Sequence, residues 1–263
     1  MGLDLESRLD FARRAALEAE QIIMSHYQRG VQVERKRDST PVTVADRSAE
    51  LAIRAGIERE FPNDAILGEE FGERPGSSGF RWVLDPLDGT KSFIHGTPLF
   101  GTMIGLTYEA QYVAGVVHFP VLKETCWGAK GLGAWWQVGT EPPRKAQVSG
   151  INTLGDALFS FTTIQGFGRI GRTDALNTLI ERCGLARGWG DCYGHMLVAT
   201  GRAELMVDPL MNAWDCAALI PIIEEAGGHF VSWDGDVTMS AGNGISVNAA
   251  LKEQVLAITR KPS

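Results

Sequence analysis

The sequence predicts an α/β protein in which helices and β-sheets lie in layers. Apolar residues recur at helical spacing over residues 4–28. Short strand-like runs joined by glycine-rich turns occupy residues 100–137, and strand and helix patterns alternate beyond residue 150. Because the chain has 263 residues, it can form one large domain or two closely packed halves.

The first 80 residues predict two helices and a hairpin. After the helix at 4–28, the alternating stretch 31–45 predicts a hairpin with a loop at 37–41. Asp46 marks the start of a second helix, which Pro62 ends. The segment AILGEEFGE predicts a short strand that breaks into a polar loop, and the composition of RPGSSG indicates a mobile connection.

A polar, proline-containing stretch at residues 138–150 separates two patterns of elements. The strand-like runs before it predict a meandering sheet. The alternation after it, which includes an apolar helix over 214–227, predicts α/β layering. We therefore expect an N-terminal α+β half, residues 1–142, with most of the candidate metal ligands. A C-terminal α/β half, residues 143–263, would complete the site.

Composition and charge exclude several classes of partner. Apolar residues make up 44% of the chain and charged residues 22%, as in ordinary soluble proteins. No window approaches the ~18 continuous apolar residues of a membrane span, and the acidic N-terminus is unlike a signal peptide. The net charge of −7 does not suit a nucleic-acid partner. Because the four cysteines lack CxxC spacing, we expect reduced thiols in a cytoplasmic protein.

The segment WVLDPLDGTKSF ends a run of strand-forming residues with two aspartates, Asp85 and Asp88. Two carboxylates this close repel each other unless a cation lies between them. Divalent cations such as Mg²⁺ take carboxylate and phosphate oxygens, and the intervening kink would let both aspartates and the Leu87 carbonyl face one point. The alternative is an ordinary surface turn, because Pro and Asp-Gly also form such turns.

Further acidic residues have a similar setting at the ends of apolar runs or the start of a helix: Glu69, Glu70, Asp215 and Asp46. Directly after Asp88, Gly89 and Thr90 open an apparently helical stretch. The free N–H groups of a helix start attract phosphate. A metal site and a phosphate site would thus meet within about six residues, which an ordinary turn does not explain.

Three motifs resemble the signatures of the inositol monophosphatase superfamily, which are GEE at 68–70, WVLDPLDGT at 82–90 and WDCAALIPIIEEAGG at 214–228. KRDSTPVTVADR and LVATGRAEL extend this resemblance over nearly the whole chain. It implies an inositol monophosphatase/fructose-1,6-bisphosphatase-like fold, a layered α+β sandwich with a mostly antiparallel sheet in its N-terminal half. It further implies a Mg²⁺-dependent, lithium-sensitive phosphatase of small phosphate monoesters that forms a homodimer.

The resemblance also implies a role for each matching residue. Glu69 and Asp85, with the Leu87 carbonyl, would hold a first Mg²⁺, and Asp85, Asp88 and Asp215 a second. Thr90 and Asp46 would orient the attacking water, helped by Glu69, while the Gly89 and Thr90 N–H groups would bind phosphate. Glu70 would reach a third ion through water, so two or three ions are expected. These residues are Asp46, Glu69, Glu70, Asp85, Leu87, Asp88, Gly89, Thr90 and Asp215.

Metal-assisted phosphoryl transfer also agrees with what the sequence lacks. A bound metal ion supplies hydroxide near neutral pH, and the protein contributes mainly positioning and charge. Neither a Ser-His-Asp constellation nor a nucleophilic cysteine is evident. The histidines are scattered along the sequence, and we expect structural roles for them: His26, His95, His118, His195 and His229. His95 is the one that lies near the phosphate loop.

Two acidic residues, Asp191 and Asp208, predict the charge of the leaving group. Both would suit a cationic substrate, because ionised partners form strong hydrogen bonds. Together with GDCYGHMLVATG, they resemble the histidinol-phosphate phosphatase branch of the superfamily, which implies L-histidinol phosphate as substrate. Trp189 or Tyr193 would stack on its imidazole, with simple packing as the alternative. The alternative for Asp191 is a helix N-cap.

Two other functions stay open at the level of the sequence. One is a phosphatase of inositol 1-phosphate or of a broader range of sugar and nucleotide phosphates, because the catalytic motifs are shared. The other is an inactive relative that binds metal or phosphate as a regulator. That second function predicts the loss of a ligand or of the threonine, yet Asp46, Glu69 and Thr90 are all present.

Overall fold

The computed structural model describes residues 4–36 and 41–260. Most of the loop predicted at 37–41 lies outside these residues. Within the described ranges, no helix combines the length and the apolar character that a membrane span requires.

Two N-terminal helices form the first layer, α1 (Leu5–His26) and α2 (Val44–Glu60). A short antiparallel pair, β1 (Val33–Arg35) and β2 (Pro41–Thr43), connects them. Helix α2 begins two residues before the predicted Asp46, because Thr43 is its N-cap and accepts a hydrogen bond from the Ala45 N–H. The predicted helices and hairpin strands are therefore present.

A large sheet forms the second layer, with strand order β10-β9-β8-β7-β6-β5-β3-β4 within the described residues. Its strands are antiparallel except for the parallel pair β3 and β5. Their bounds are β3 (Ala65–Gly68), β4 (Gly72–Arg74), β5 (Phe80–Asp88), β6 (Gly101–Tyr108), β7 (Gln111–Phe119), β8 (Glu124–Ala129), β9 (Gly133–Val138) and β10 (Arg144–Lys145).

Strand β5 leads directly to the site. Its pairing with β6 shifts register between Asp85 and Asp88, so the strand is irregular where the two aspartates stand. Gly89 follows with φ 80°, and the five-residue helix α3 (Thr90–Ile94) begins immediately after it. The predicted kink and helix start are both present.

The C-terminal part of the chain contains a five-stranded sheet with order β12-β11-β13-β15-β14. Strand β11 is parallel to β12 and β13, whereas β15 is antiparallel to its neighbours. The bounds are β11 (Leu158–Phe161), β12 (Leu185–Arg187), β13 (Leu205–Asp208), β14 (Gly228–Val231) and β15 (Gly244–Asn248). The helices are α4 (Ile164–Arg169), α5 (Thr173–Arg182), α6 (Asp191–Ala199), α7 (Ala213–Ala217), α8 (Leu219–Glu225) and α9 (Lys252–Thr259), with a 3-10 helix at Leu154–Asp156.

Alternating strand residues build a core on each side of the large sheet. Ile104 and Val116 pack with the apolar faces of α1 and α2. Their neighbours Met103 and Val117 pack on the opposite side with Ile222 of α8 and with residues of α6. Helices α6, α7 and α8 therefore lie between the two sheets.

The second sheet has its own outer layer of helices. Phe159 and Val231 pack with Phe167 of α4, Leu176 of α5 and Val255 of α9. The result is a helix–sheet–helix–sheet–helix sandwich, which confirms the predicted layered α/β class. The single helix predicted over 214–227 is divided into α7 and α8 around Ala218.

Candidate active site

Three carboxylates converge at the end of β5, and they belong to Asp85, Asp88 and Asp215. One oxygen from each lies within 4.8 Å of those of the others. Two come from strand β5 of the large sheet, and the third comes from helix α7, which lies between the two sheets. The structure thus brings together acidic residues that stand up to 130 positions apart in the chain.

The irregular end of β5 has specific hydrogen bonds that hold its shape. The Leu87 N–H donates to Asp85 Oδ1 at 3.0 Å. Thr102 Oγ1 donates to the Pro86 carbonyl at 2.9 Å. The Leu87 carbonyl accepts a bond from Thr90 Oγ1 at 3.2 Å, and Leu87 lines the same cavity as the three aspartates. Together these bonds hold the kink that presents both aspartates.

Helix α7 brings Asp215 to the cluster because glycines let it approach the large sheet. A Cβ on Gly105 would lie 2.7 Å from Ala217, and one on Gly115 would lie 2.1 Å from the Ala218 carbonyl oxygen. The Asn212 N–H donates to Asp215 Oδ2 at 2.7 Å and fixes the carboxylate at the first turn of the helix.

The three carboxylates have raised pKa values. Burial raises the pKa of Asp88 to about 7, with repulsion from Asp215, and it raises the pKa of Asp215 to about 7, with repulsion from Glu69 and Asp208. Burial and repulsion from Glu69, Asp88 and Asp215 raise the pKa of Asp85 well above its usual range. Keeping all three ionised near neutral pH requires a cation, and an all-oxygen donor set suits Mg²⁺. The residues present therefore fit a divalent metal.

Glu69 and Glu70 contact a cation that the sequence reasoning missed, Lys36. Its Nζ donates to Glu69 Oε1 at 2.6 Å and also to Glu70 Oε1. Burial lowers the pKa of Lys36, but the bonds to both carboxylates outweigh this and raise it. Burial raises the pKa of Glu70. The lysine thus compensates the two glutamates, while the aspartate cluster has no such ion pair within the described residues.

Asp46 and Thr90 meet as the resemblance implied. Thr90 Oγ1 lies 3.3 Å from Asp46 Oδ1, and its single proton is shared between this oxygen and the Leu87 carbonyl. The other oxygen, Oδ2, accepts from the Thr43 N–H at 2.8 Å and from its hydroxyl at 2.6 Å. Burial raises the pKa of Asp46 despite these bonds. The pair can orient a polar molecule at the edge of the cluster.

Gly89 and Thr90 border a cavity of about 170 Å³ beside the three aspartates. A Cβ on Gly89 would lie 3.0 Å from the Leu99 carbonyl oxygen and 3.3 Å from Asp191 Oδ2, and its φ is positive. Glycine is therefore required at this point. With only five residues, α3 offers free N–H groups more than a strong dipole.

A second cavity of about 420 Å³ adjoins the first and contains both predicted leaving-group residues, Asp191 and Asp208. The N-cap of α6 is Gly190, so the capping alternative for Asp191 is wrong. The backbone of Asp191 instead has φ 54°, which is uncommon for residues other than glycine. Burial, followed by repulsion from Asp88 and Asp208, raises its pKa well above the usual range.

Asp208 is buried, and hydrogen bonds occupy both of its oxygens. Thr162 Oγ1 donates to Oδ2 at 2.6 Å, and the Leu210 N–H donates to Oδ1 at 3.3 Å. Burial raises its pKa to about 6. Thr162 also accepts a bond of 2.9 Å from the Asp191 N–H. Sequence reasoning missed this threonine, which joins the two aspartates although 29 and 46 residues separate it from them.

The two candidate stacking residues occupy other places. Tyr193 packs edge-on against Phe119, with ring centroids 5.3 Å apart. Trp189 is 39% exposed. Neither lines the second cavity, whose other polar lining includes Lys91, Arg169 and the buried His195. The packing alternative therefore describes Tyr193.

The fold and the cluster agree with the family comparison. Residues 4–262 match the inositol monophosphatase family, and the chain belongs to it. Among curated relatives, the histidinol-phosphatase of Chlorobaculum parvum is 44% identical over 256 residues, which cover 97% of this chain and 95% of that protein. The histidinol-phosphatase of Mycobacterium tuberculosis is 35% identical and covers 86% of this chain and 87% of its own.

Solved structures give the same family and fold. The inositol monophosphatase of Zymomonas mobilis superposes with a TM-score of 0.85 at 32% identity, over 97% of this chain and 98% of that one. The extragenic suppressor protein SuhB of Bartonella henselae has a TM-score of 0.88 at 27% identity, over 98% of this chain and 100% of its own. The predicted superfamily and its fold are thus confirmed.

Proposed function

We propose that this protein is a Mg²⁺-dependent phosphatase that hydrolyses L-histidinol phosphate to L-histidinol in histidine biosynthesis. The observation that carries the proposal is the contact between two sites. A cluster of three carboxylates adjoins a cavity that two further aspartates line. The first site suits a metal and a phosphate group, and the second suits a cationic leaving group. The names of the two histidinol-phosphatase relatives support the same substrate.

In this proposal, Glu69, Asp85 and the Leu87 carbonyl would hold one Mg²⁺, and Asp85, Asp88 and Asp215 would hold another. Bound Mg²⁺ neutralises charge on the phosphate and makes coordinated water more acidic. The protein's part is to hold the carboxylates close together, where the bound ions would keep them ionised. The 4.8 Å limit on their separation supports this role.

Asp46 and Thr90 orient the attacking water, with Glu69 beside them. The 3.3 Å contact between the threonine hydroxyl and the Asp46 carboxylate leaves both groups at the edge of the cluster. A group that fixes the direction of attack contributes through positioning. The Gly89 and Thr90 N–H groups bind the phosphate oxygens, and the absence of a side chain at Gly89 lets the ester approach the backbone.

Glu70 would take a third ion through water in this scheme. Because Lys36 contacts both Glu69 and Glu70, the lysine would have to leave Glu69 for the first ion and Glu70 for the third. Two cations cannot occupy the same contact with a carboxylate. Because Glu70 would contact the third ion only through water, we propose that this site is weaker than the first two.

Asp191 and Asp208 select the leaving group. Histidinol phosphate carries an ammonium group and an imidazole, and charge-assisted bonds to carboxylates are stronger than neutral ones. Asp191 lies nearest to the phosphate loop, since its Oδ2 is 3.3 Å from the Cβ position of Gly89. It would therefore contact the atoms of the leaving group next to the ester oxygen. Asp208, whose two oxygens already accept hydrogen bonds, would line the cavity beyond them.

A second candidate is a phosphatase of inositol 1-phosphate or of a broader range of esters. The Zymomonas mobilis inositol monophosphatase and the 32% identical inositol-1-monophosphatase of Mesorhizobium japonicum support it. The discriminating experiment measures phosphate release with Mg²⁺ and compares kcat/KM for the two esters. We expect a preference of about 100-fold for histidinol phosphate, which equals about 2.7 kcal/mol. An absent or reversed preference would transfer the proposal to inositol 1-phosphate.

Several finer features belong to the same proposal. We propose two or three Mg²⁺ ions per site, inhibition by lithium, a homodimer and a cytoplasmic location. We also keep the division into residues 1–142 and 143–263, although β10 at Arg144–Lys145 still pairs with β9 of the large sheet. Turnover of either ester would eliminate the remaining alternative, an inactive binding homologue.

A further inference from the structure

One face of helix α2 carries three buried polar residues at intervals of one turn: Asp46, Glu50 and Arg54. Side chains four positions apart lie above one another on a helix. Glu50 has no exposed surface, and Arg54 is 9% exposed. Asp46 has the proposed catalytic role, but that role does not explain why Glu50 and Arg54 are buried on the same face of the helix.

Both carboxylate oxygens of Glu50 hold the loop that follows β3. Oε2 accepts a bond from the Glu70 N–H at 2.7 Å. Oε1 accepts from the Phe71 N–H at 3.2 Å and from Arg54 Nε at 2.7 Å. Glu50 therefore bonds to two successive backbone groups of the segment that carries Glu69.

Arg54 and Gly68 complete the contact on either side. Arg54 donates through its second nitrogen to the Gly72 carbonyl, beyond the turn. A Cβ on Gly68 would lie 1.9 Å from Glu50 Oε1, so only glycine leaves room for the carboxylate. This close contact gives a physical reason for the glycine of the GEE motif. The segment from Gly68 to Gly72 is thus held along its whole length.

The same helix consequently fixes two parts of the proposed site. Its first turn presents Asp46 to Thr90, and Glu50 and Arg54 on its next turns bond to the backbone that follows Glu69. The Glu69 N–H donates to the Leu84 carbonyl at 3.1 Å, which ties the same residue to β5. Any shift of the loop would move the Glu69 carboxylate relative to Asp46 and Asp85.

We propose that Glu50 and Arg54 are positioning residues that set the affinity of the site for divalent metal by fixing Glu69. This inference rests on the proposed function, in which Glu69 is a metal ligand. It assigns to the buried pair a role in metal binding in addition to its part in folding. Groups that orient metal ligands typically change metal affinity by about 10–100-fold when they are altered.

The test measures Mn²⁺ binding to the full chain by electron paramagnetic resonance, without substrate, because Mn²⁺ accepts the same oxygen ligands as Mg²⁺. Glu50→Gln keeps the shape of the side chain but removes one acceptor, so it cannot serve both N–H groups and Arg54. We expect its Mn²⁺ affinity to fall by about 10-fold or more. Saturating metal should restore kcat, and KM for the ester should stay near the wild-type value.

Asp64→Asn is the matched control. Asp64 is also a buried carboxylate that an arginine contacts, but it precedes β3 at the end far from the site. Its substitution should lower thermal stability and leave Mn²⁺ affinity within about twofold of wild type, as expected for a residue without contact to the ligand loop. A loss of affinity equal to that of Glu50→Gln would overturn the inference, because lower stability alone would then be enough to weaken Mn²⁺ binding.

Arg54→Lys provides a second variant if Glu50→Gln does not fold. Lysine keeps the charge but cannot bond to both Glu50 and the Gly72 carbonyl with a rigid fork. A folded variant with unchanged Mn²⁺ affinity would overturn the inference. Wild-type protein that binds no Mn²⁺ would instead overturn the proposed function, so the two failures are distinguishable.

Discussion

The carboxylate of Asp64 and the cluster of Asp85, Asp88 and Asp215 have opposite surroundings in this molecule. Asp64, at the start of β3, accepts bonds from Arg8 Nε at 2.9 Å, Ser78 Oγ at 2.6 Å and Trp82 Nε1 at 3.0 Å. The cluster of Asp85, Asp88 and Asp215, at the far end of the same sheet, has no ion pair with a basic side chain among residues 4–36 and 41–260.

This difference distinguishes a carboxylate that stabilises the fold from carboxylates that suit a bound cation. A buried carboxylate costs free energy unless hydrogen bonds or an opposite charge compensate it. The protein supplies that compensation itself at Asp64. At the cluster it leaves three carboxylates with raised pKa values, which a divalent cation would compensate. The following predictions separate the two groups by their response to substitution, pH and metal.

The largest expected effect is the loss of turnover in Asp88→Asn. The variant keeps its shape but loses one ligand charge, and a metal's contribution of several kcal/mol corresponds to a rate loss of about 10²–10³-fold. Asp64→Asn should retain a near-wild-type kcat while its melting temperature falls. Phosphate-release assays and thermal unfolding of both variants check this. Wild-type-like rates in Asp88→Asn would remove the metal assignment.

The metal-free protein should lose stability as pH rises from about 4 to about 8. Asp88 and Asp215 each have a folded-state pKa of about 7, above the unfolded value near 3.8. A carboxyl whose pKa is raised by folding binds more protons in the folded state, so ionisation favours unfolding. The free energy of unfolding begins to fall above the unfolded-state pKa, and the loss is complete above about pH 7.

We expect the melting temperature of metal-free protein to fall by about 5 °C or more over this range, since 1 kcal/mol corresponds to about 2–4 °C for a chain of this size class. Mg²⁺ should reverse the fall at pH 8, because it binds the ionised cluster in the folded state. Differential scanning fluorimetry with EDTA or Mg²⁺ measures both effects. A melting temperature that rises with pH in EDTA would contradict the raised pKa values.

The next effect concerns the leaving group. Asp191→Ala removes a charged acceptor, and hydrogen bonds to charged groups contribute about 1.5–3 kcal/mol. We expect KM for histidinol phosphate to rise by about 10-fold or more, with a much smaller change for inositol 1-phosphate. Steady-state kinetics with both esters measures the difference. An equal change for the two esters would remove the basis for a cationic substrate.

The smallest effect should come from Thr162→Val. Valine fills the same volume but removes the bonds to Asp208 and the Asp191 N–H. Thr162 contacts the two aspartates, so the loss reaches the substrate only through them; we expect about 0.5–1.5 kcal/mol, which raises KM for histidinol phosphate about 3–10-fold. Thr162→Ser, which keeps the hydroxyl, should restore the wild-type KM. A serine variant as impaired as the valine variant would show that the methyl group, not the hydroxyl, matters.

Residues that act within one short segment were predictable from the sequence. Asp85, Leu87, Asp88, Gly89 and Thr90 stand in a single kinked stretch, where the order of residue types already indicates their surroundings. The layered α/β class and the second helix followed from equally local signals, although this helix begins at Val44 and not at the predicted Asp46. The local setting also marked Asp215 as a candidate, but only the resemblance assigned it to the same metal site, because its place beside β5 depends on tertiary packing.

Residues that act across the fold were not predictable in this way. Lys36, Glu50 and Thr162 find their partners 20 to 46 residues away, and each has an ordinary setting in the sequence. The division of the predicted helix at Ala218 likewise depends on the close approach of α7 and α8 to glycines of the large sheet. Local propensity carries no information about such contacts.

The most direct test of the cation-dependent cluster is the rate of histidinol phosphate hydrolysis after metal removal. Protein is treated with EDTA, the chelator is removed, and phosphate release is followed as Mg²⁺ is added back. We expect no measurable turnover in metal-free protein and full recovery with Mg²⁺. Turnover that persists at the wild-type rate without metal would contradict the role assigned to Asp85, Asp88 and Asp215.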